Sequence, residues 1–155
     1  MLWLFSSVIL FFLYKYNKNN ISIIYKYIIY YILYRMPQTI TEEDLKNKQS
    51  LLGEKELIVI KFTATWCGPC KVIQPCCTKF LATKPNSIQY YEIDIDESLE
   101  LYMKLKKMKM VNGIPAIIAF KGGIKEHWFI PDEIHIGANV SQLEQFFMKC
   151  LKYVS

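Results

Sequence analysis

Apolar runs alternate with mixed segments through most of this chain, and the alternation predicts an α/β domain over residues 36–155. The run 57–62 is apolar and partly β-branched and has the length of a strand buried on both faces of a sheet. Residues 88–95 and 115–120 are predicted as two further strands. Four mixed segments carry helix-start signals or apolar residues at helical spacing. The predicted helices cover 42–49 after Thr41, 67–83 with Pro75 inside, 97–108, and a last helix begun by Ser141.

Two weaker strand signals complete the predicted sheet. The segment 124–130 follows the glycine-containing turn 121–123, which predicts an antiparallel hairpin with 115–120 and a loop over 131–139. Residues 36–40 are a candidate for a short edge strand.

Residues 1–35 differ in composition from the rest of the chain. They contain no Asp, Glu, Gly, Pro or Ala, and they hold seven of the eleven tyrosines. Their two apolar stretches, 2–14 and 21–34, are each shorter than the roughly 18 to 20 residues of a membrane-spanning helix. We expect either an uncleaved anchor that leaves the domain cytoplasmic, or a segment outside the mature protein because translation starts at Met36.

The charge distribution argues against nucleic-acid binding. The net charge is +5, but four of the 19 basic residues lie in 1–35, which leaves 15 basic and 14 acidic residues in 36–155. A domain with no basic excess lacks the electrostatic surface that nucleic acid requires.

Four of the five cysteines are crowded into eleven residues. These are Cys67, Cys70, Cys76 and Cys77, with Cys150 far away. The clustering favours a catalytic or metal-binding pair in a reducing compartment over a secreted disulfide framework. Zinc would need two further ligands at suitable spacing, and the chain offers poor candidates, so we expect no metal. We expect Cys76, Cys77 and Cys150 to be inert thiols.

Cys67 and Cys70 are separated by two residues at a predicted helix start, where they can form a disulfide. The helix N-terminus stabilises the Cys67 thiolate and lowers the pKa of that thiol from about 8.5, which makes Cys67 the attacking group. Cys70 then resolves the mixed disulfide and is expected to be the more buried of the two. Pro69 suits the first helical turn because that position needs no N–H.

The stretch ATWCGPCKVIQP, residues 64–75, closely resembles the active-site sequence of thioredoxins. VNGIPA at 111–116, FKGG at 120–123 and GAN at 137–139 match further family segments in order and spacing. The resemblance implies a thioredoxin fold, with a central mixed sheet flanked by helices on both faces. It implies a monomeric protein-disulfide reductase with no bound cofactor, acting on disulfide-containing proteins and recycled by a reductase protein.

The resemblance also assigns roles around the cysteine pair. Trp66 would flank the site, and Gly68 with Pro69 resembles the reducing branch of the family. Pro115 would be cis, although the residues alone leave its isomer open. The Ile114 backbone would pair with an extended substrate segment, beside Gly137 in the groove.

The chain departs from the family pattern at Lys61, because thioredoxins usually place a buried Asp there. We expect Lys61 to pair with Glu92 and to lower the pKa of the thiols, with general-base help from Glu92, Asp94 or water. Alternatively, Lys61 extends its side chain out to solvent and has no chemical role.

A longer segment between Gly123 and Gly137 is the second departure. It makes Trp128 and Phe129 candidates for partner contact, or for packing on the core as part of an edge strand. Two alternative functions stay open: a redox-inactive adaptor that uses the groove, and a disulfide isomerase in an oxidising lumen.

Overall fold

A computed structural model describes residues 39–123 and 125–155, together with Tyr25. The chain divides into two units between Met36 and Pro37, and the helices and strands given below belong to the second. Among the described residues, no helix is long and apolar enough to cross a membrane. The predicted anchor in residues 1–35 lies outside the described residues, apart from Tyr25. Most of the candidate edge strand 36–40 lies outside them too, and Thr39 and Ile40 are not in a strand.

The first helix, α1 (Glu42–Leu51), begins where the sequence predicts it. The Thr41 hydroxyl accepts from the Asp44 N–H at 3.1 Å, and the Thr41 N–H donates to the Asp44 carboxylate at 3.2 Å. This reciprocal capping satisfies donors that the first helical turn would otherwise leave unpaired.

The remaining elements follow the predicted alternation. They are β1 (Leu57–Thr63), α2 (Gly68–Thr83), β2 (Ile88–Asp94), α3 (Glu100–Lys107), β3 (Ala116–Lys121), β4 (Glu133–Ile136) and α4 (Val140–Val154). The strand order is β2-β1-β3-β4, with β1 parallel to β2 and the other neighbours antiparallel. The predicted mixed sheet is therefore confirmed.

The sheet has a hydrophobic core on each face. Side chains alternate along β1, so that Ile58, Ile60 and Phe62 join one core with Leu45 of α1 and Leu101 of α3. Leu57 and Val59 join the other core with Ile73 of α2 and Phe146 of α4. Helices thus cover both faces, and Lys61 is the charged residue in a strand whose first six positions are all buried.

Two predictions about the C-terminal third are wrong. The partner strand of β3 is Glu133–Ile136, not 124–130, because residues 126–129 form bends and turns and Asp132 donates its N–H to Ala119 O at 2.8 Å. The predicted loop 131–139 therefore contains β4. The last helix is capped by Asn139, whose side chain accepts from the Gln142 N–H at 3.0 Å, two residues before Ser141.

The inserted segment packs its aromatic residues inward. Trp128 and Phe129 are partly buried against the core that α1 and α3 cover. The ammonium groups of Lys46 and Lys104 lie 4.7 and 5.5 Å from the Trp128 ring centroid, and Gln49 donates to the Trp128 carbonyl at 3.0 Å. These contacts favour packing over partner contact for Trp128, although no edge strand is formed at this segment.

Candidate active site

Cys67 and Cys70 form a disulfide at the start of α2, just after the loop that follows β1. Their Cα atoms are 5.3 Å apart. Cys67 is the N-cap of α2, and its sulfur accepts from the Cys70 N–H at 3.2 Å. Pro69 lies in the first turn, where its missing N–H costs nothing. The arrangement places Sγ of Cys67 at the positive end of a 16-residue helix.

The two cysteines are equally buried, so the expectation that Cys70 is the more buried residue is wrong. Each is 3% exposed. Both belong to a small cluster with Ala64, against which Ile95 and Ile114 pack. Cys67 is buried because these neighbours, which lie in loops, cover it. The position of Cys67 at the start of a helix does not show that such loops lie next to it.

Trp66 flanks the disulfide and is 65% exposed. Its indole Nε1–H donates to Oδ2 of Asp96 at 2.7 Å. Sequence reasoning missed Asp96. The order of the strands could have indicated this contact. Trp66 follows β1 and Asp96 follows β2, and the carboxyl ends of these two parallel strands lie at the same edge of the sheet.

The predicted groove residues also meet at this edge. Ile114 packs against the cysteine cluster, and the Ile114–Pro115 bond is cis, as the resemblance implied. The Gly137 N–H donates to the Pro115 carbonyl at 2.9 Å, and Gly137 has φ +98°, a conformation that favours glycine. The structure therefore brings Gly137, Pro115 and the disulfide into one region.

Lys61 lies beneath α2, fully buried, and the expectation of a pair with Glu92 is confirmed. Its Nζ is 3.2 Å from Oε2 of Glu92, and the two residues are register partners on β1 and β2. Lys61 also donates to Oε1 of Gln74, a contact that sequence reasoning missed. Because Lys61 is 0% exposed, the alternative in which it reaches solvent is wrong.

The other three thiols are unsuited to exchange. Burial raises the pKa of Cys77 to about 11, partly offset by the nearby Lys61 ammonium. Burial raises the pKa of Cys150 to about 12 and also raises the pKa of the half-buried Cys76. Thiols that stay protonated near neutral pH are poor nucleophiles. Within 39–123 and 125–155, no three His, Cys, Asp or Glu side chains are grouped as a metal site.

The fold and the site define a class of protein: a dithiol oxidoreductase with a mixed sheet and a CxxC disulfide at a helix start. The family model described as Thioredoxin matches residues 38–147, and the chain belongs to the thioredoxin family. It is a thiol-disulfide oxidoreductase that reduces protein disulfides through Cys67 and Cys70.

Several thioredoxins are similar to this chain over most of their own length. Thioredoxin-2 of Saccharomyces cerevisiae is 35% identical over 96 residues, which are 62% of this chain and 82% of that protein. A thioredoxin of Coprinus comatus is 34% identical over 117 residues, 75% of this chain and 99% of that protein. The crystal structure of thioredoxin from Trypanosoma brucei brucei is similar with a TM-score of 0.58 and 28% identity, covering 77% of this chain and 94% of that one.

Proposed function

We propose that Cys67 is the attacking thiol and Cys70 the resolving thiol. In the reduced protein, the Cys67 thiolate attacks one sulfur of a substrate disulfide, forms a mixed disulfide and releases the first substrate thiol. Cys70 then loses its proton and attacks Sγ of Cys67, which releases the second substrate thiol and forms the Cys67–Cys70 disulfide. The observation that carries this assignment is the position of Cys67 as the N-cap of α2, with its sulfur accepting from the Cys70 N–H.

The substrate segment would bind in extended form along the groove next to the disulfide. The Ile114 backbone would supply the strand-like hydrogen bonds, with Trp66, Pro115 and Gly137 as the walls. The contact of Ile114 with the cysteine cluster and the exposure of Trp66 support this placement. Gly68 borders open space, so it leaves room for a substrate beside the two sulfurs.

Lys61 would favour the thiolate form of the cysteine pair through its positive charge. Gln74, which accepts from Lys61, lies one helical turn after Cys70, and side chains of a helix lean towards its N-terminus. A buried ammonium close to this turn acts in a medium of low dielectric, where its effect on a thiolate is larger than in water. Glu92 is engaged with Lys61, which leaves Asp94 or water as the acceptor of the Cys70 proton.

The redox domain would comprise residues 36–155 and act as a monomer. Its electrons would come from a reductase protein of the kind that recycles thioredoxins, and it would use no bound cofactor. Membrane association would depend on residues 1–35. Mass spectrometry of the intact natural protein tests whether it contains them, because a chain starting at Met36 lacks this segment.

Reduction of insulin by dithiothreitol, followed as turbidity, tests the assignment. We expect Cys67→Ser to abolish the catalysed rate and Cys76→Ser, at a half-buried free cysteine, to leave it unchanged. Equal rates for wild type and Cys67→Ser would favour the adaptor, a binding module that needs no turnover. Faster reactivation of scrambled ribonuclease than reduction of insulin would favour the isomerase.

A further inference from the structure

His135 is a buried histidine in β4 that the redox mechanism does not use. It is 5% exposed, whereas histidines in proteins are on average only partly buried. In the sheet it is the register partner of Ile117, on the face that α2 and α4 cover. Desolvation by this burial lowers the pKa of His135 below its ordinary value, which favours the neutral ring.

The ring of His135 binds the backbone of the proposed groove. Its Nε2 lies 2.9 Å from the carbonyl oxygen of Gly137. A carbonyl oxygen only accepts, so Nε2 carries the proton and donates. The tautomer of the neutral ring is thereby fixed with its proton on Nε2.

Both polar groups of the Gly137 residue are therefore occupied. Its N–H donates to the Pro115 carbonyl at 2.9 Å, and its own carbonyl accepts from His135. Pro115 in turn follows Ile114, which packs against the cysteine cluster. A continuous series of contacts thus runs from His135 through Gly137 and Pro115 to the disulfide.

The conformation of Gly137 explains why this backbone needs a second hydrogen bond. Glycine has the greatest backbone freedom of any residue, and Gly137 has φ +98° between the end of β4 and the cap of α4. With the Pro115 contact alone, the peptide after Gly137 could rotate and change the separation of the groove walls. The hydrogen bond from His135 opposes that rotation.

We propose that His135 is a positioning residue for the substrate groove, which holds Gly137 against Pro115 in the geometry that an extended protein segment requires. The inference rests on the proposed function of the groove. This role for His135 affects two classes of substrate differently. A protein disulfide must place a peptide segment between the walls of the groove, whereas a small disulfide reaches Cys67 without contacting those walls. Loss of the His135 contact should therefore impair the first class and leave the second unaffected.

Three variants test the proposal. His135→Phe keeps a ring of similar size without the donor, His135→Gln keeps an amide donor at similar reach, and His127→Phe changes an exposed histidine as a matched control. KM and kcat are measured with insulin. The rate at which the reduced protein reacts with 5,5′-dithiobis(2-nitrobenzoate), a small disulfide, measures the intrinsic reactivity of the Cys67 thiol. Thermal unfolding verifies that each variant is folded.

We expect His135→Phe to raise KM for insulin about fivefold, the order expected for one lost hydrogen bond, with a rate towards the small disulfide within about twofold of wild type. His135→Gln should recover part of the loss, and His127→Phe should behave as wild type. An unchanged KM for His135→Phe would overturn the proposal, as would an equal loss with both substrates or no recovery in His135→Gln.

A spectroscopic measurement keeps the proposal testable even when His135→Phe does not fold. Long-range ¹H–¹⁵N spectra of the wild-type protein report which ring nitrogen of His135 is protonated. We expect the Nε2–H tautomer, and the Nδ1–H tautomer would overturn the proposal. The proposed function fails separately, because a wild-type protein that does not reduce insulin would refute the redox assignment before any His135 variant is compared.

Discussion

Lys61 and Glu92 are register partners on the parallel strands β1 and β2, with Nζ and Oε2 3.2 Å apart. Lys61 is fully buried, whereas the Glu92 side chain is 23% exposed. Thioredoxins usually have a buried Asp at the position of Lys61, so the sign of the charge at this position is reversed in this chain. The carboxylate of Glu92 and the amide oxygen of Gln74 offset the cost of burying an ammonium group.

The first prediction concerns the pH dependence of thiol reactivity. Lys61→Met keeps the aliphatic length of the side chain and removes its charge. Without the ammonium, the thiolate of the reduced pair loses electrostatic stabilisation, so the midpoint of alkylation against pH should rise by roughly one unit. Rates of iodoacetamide alkylation of the reduced protein between pH 5 and 10 measure the midpoint.

Lys149→Met is the matched control for that experiment, because Lys149 pairs with Glu133 at 2.9 Å and is 63% exposed. Its profile should match wild type. Lys61→Asp restores the charge usual in the family and should slow reduction at low pH, where a carboxylate takes up protons. Identical rates and pH profiles for wild type and both Lys61 variants would remove Lys61 from the mechanism.

The second prediction concerns Trp66 and Asp96. The hydrogen bond from the indole to Asp96 orients a ring that is 65% exposed and borders the disulfide. Asp96→Ala should lower kcat/KM for insulin about threefold and change the free energy of unfolding by no more than about 1 kcal/mol, because the lost bond is exposed. Asp96→Asn keeps an acceptor oxygen and should retain most of the activity; equal losses in the two variants would mean that the bond does not matter.

The third prediction concerns the buried thiols. In the folded, oxidised protein at pH 8, Cys77 and Cys150 should not react with 5,5′-dithiobis(2-nitrobenzoate), because burial raises the pKa of Cys77 to about 11 and of Cys150 to about 12. Both should react once guanidinium chloride unfolds the protein. Labelling of either residue at a rate close to that of Cys76 in the native state would contradict the burial.

The same pKa shifts bear on alkaline stability. Folding keeps these thiols protonated. Their contribution to stability is therefore complete at pH values below 9.0, the pKa of such a thiol in the unfolded chain, and is lost as the pH rises through about 11 to 12, their pKa values in the folded protein. Cys150→Ala should therefore lose less stability than wild type between pH 9 and 11, as measured by urea unfolding.

The fourth prediction separates packing from partner contact at Trp128. Trp128→Ala removes a half-buried ring that lies under two lysines and against the core, and it should lower the free energy of unfolding by about 2 kcal/mol. Insulin reduction below the unfolding range should be unchanged. Ile130→Ala, at a 45% exposed residue of the same segment, is the control and should cost less than about 1 kcal/mol. A small loss of stability with a large loss of activity would instead support partner contact.

Local patterns predicted several elements of the domain. The apolar run of β1, the Thr41 cap and the first turn of α2 are encoded by neighbouring residues, and each begins within a residue or two of its predicted place. The segment after Gly123 was not predictable in this way. Residues 124–130 have the composition of a strand, but β3 pairs with Glu133–Ile136, and Trp128 instead packs against the core and contacts side chains of α1 and α3. Tertiary packing decided between two segments with similar local preferences.

The sequence by itself determined the reactive pair, because two cysteines at the start of a helix fix the spacing and the electrostatics of the disulfide within one turn. It also placed Lys61 within an apolar strand, but it left open whether the charge of Lys61 is buried or reaches solvent. Only the tertiary structure decided which groups surround that pair and that charge. Asp96 and Gln74 come from other elements, and their distances to Trp66 and Lys61 depend on how strands and helices pack together. Contacts between residues far apart in the chain depend on that packing, which no local pattern specifies.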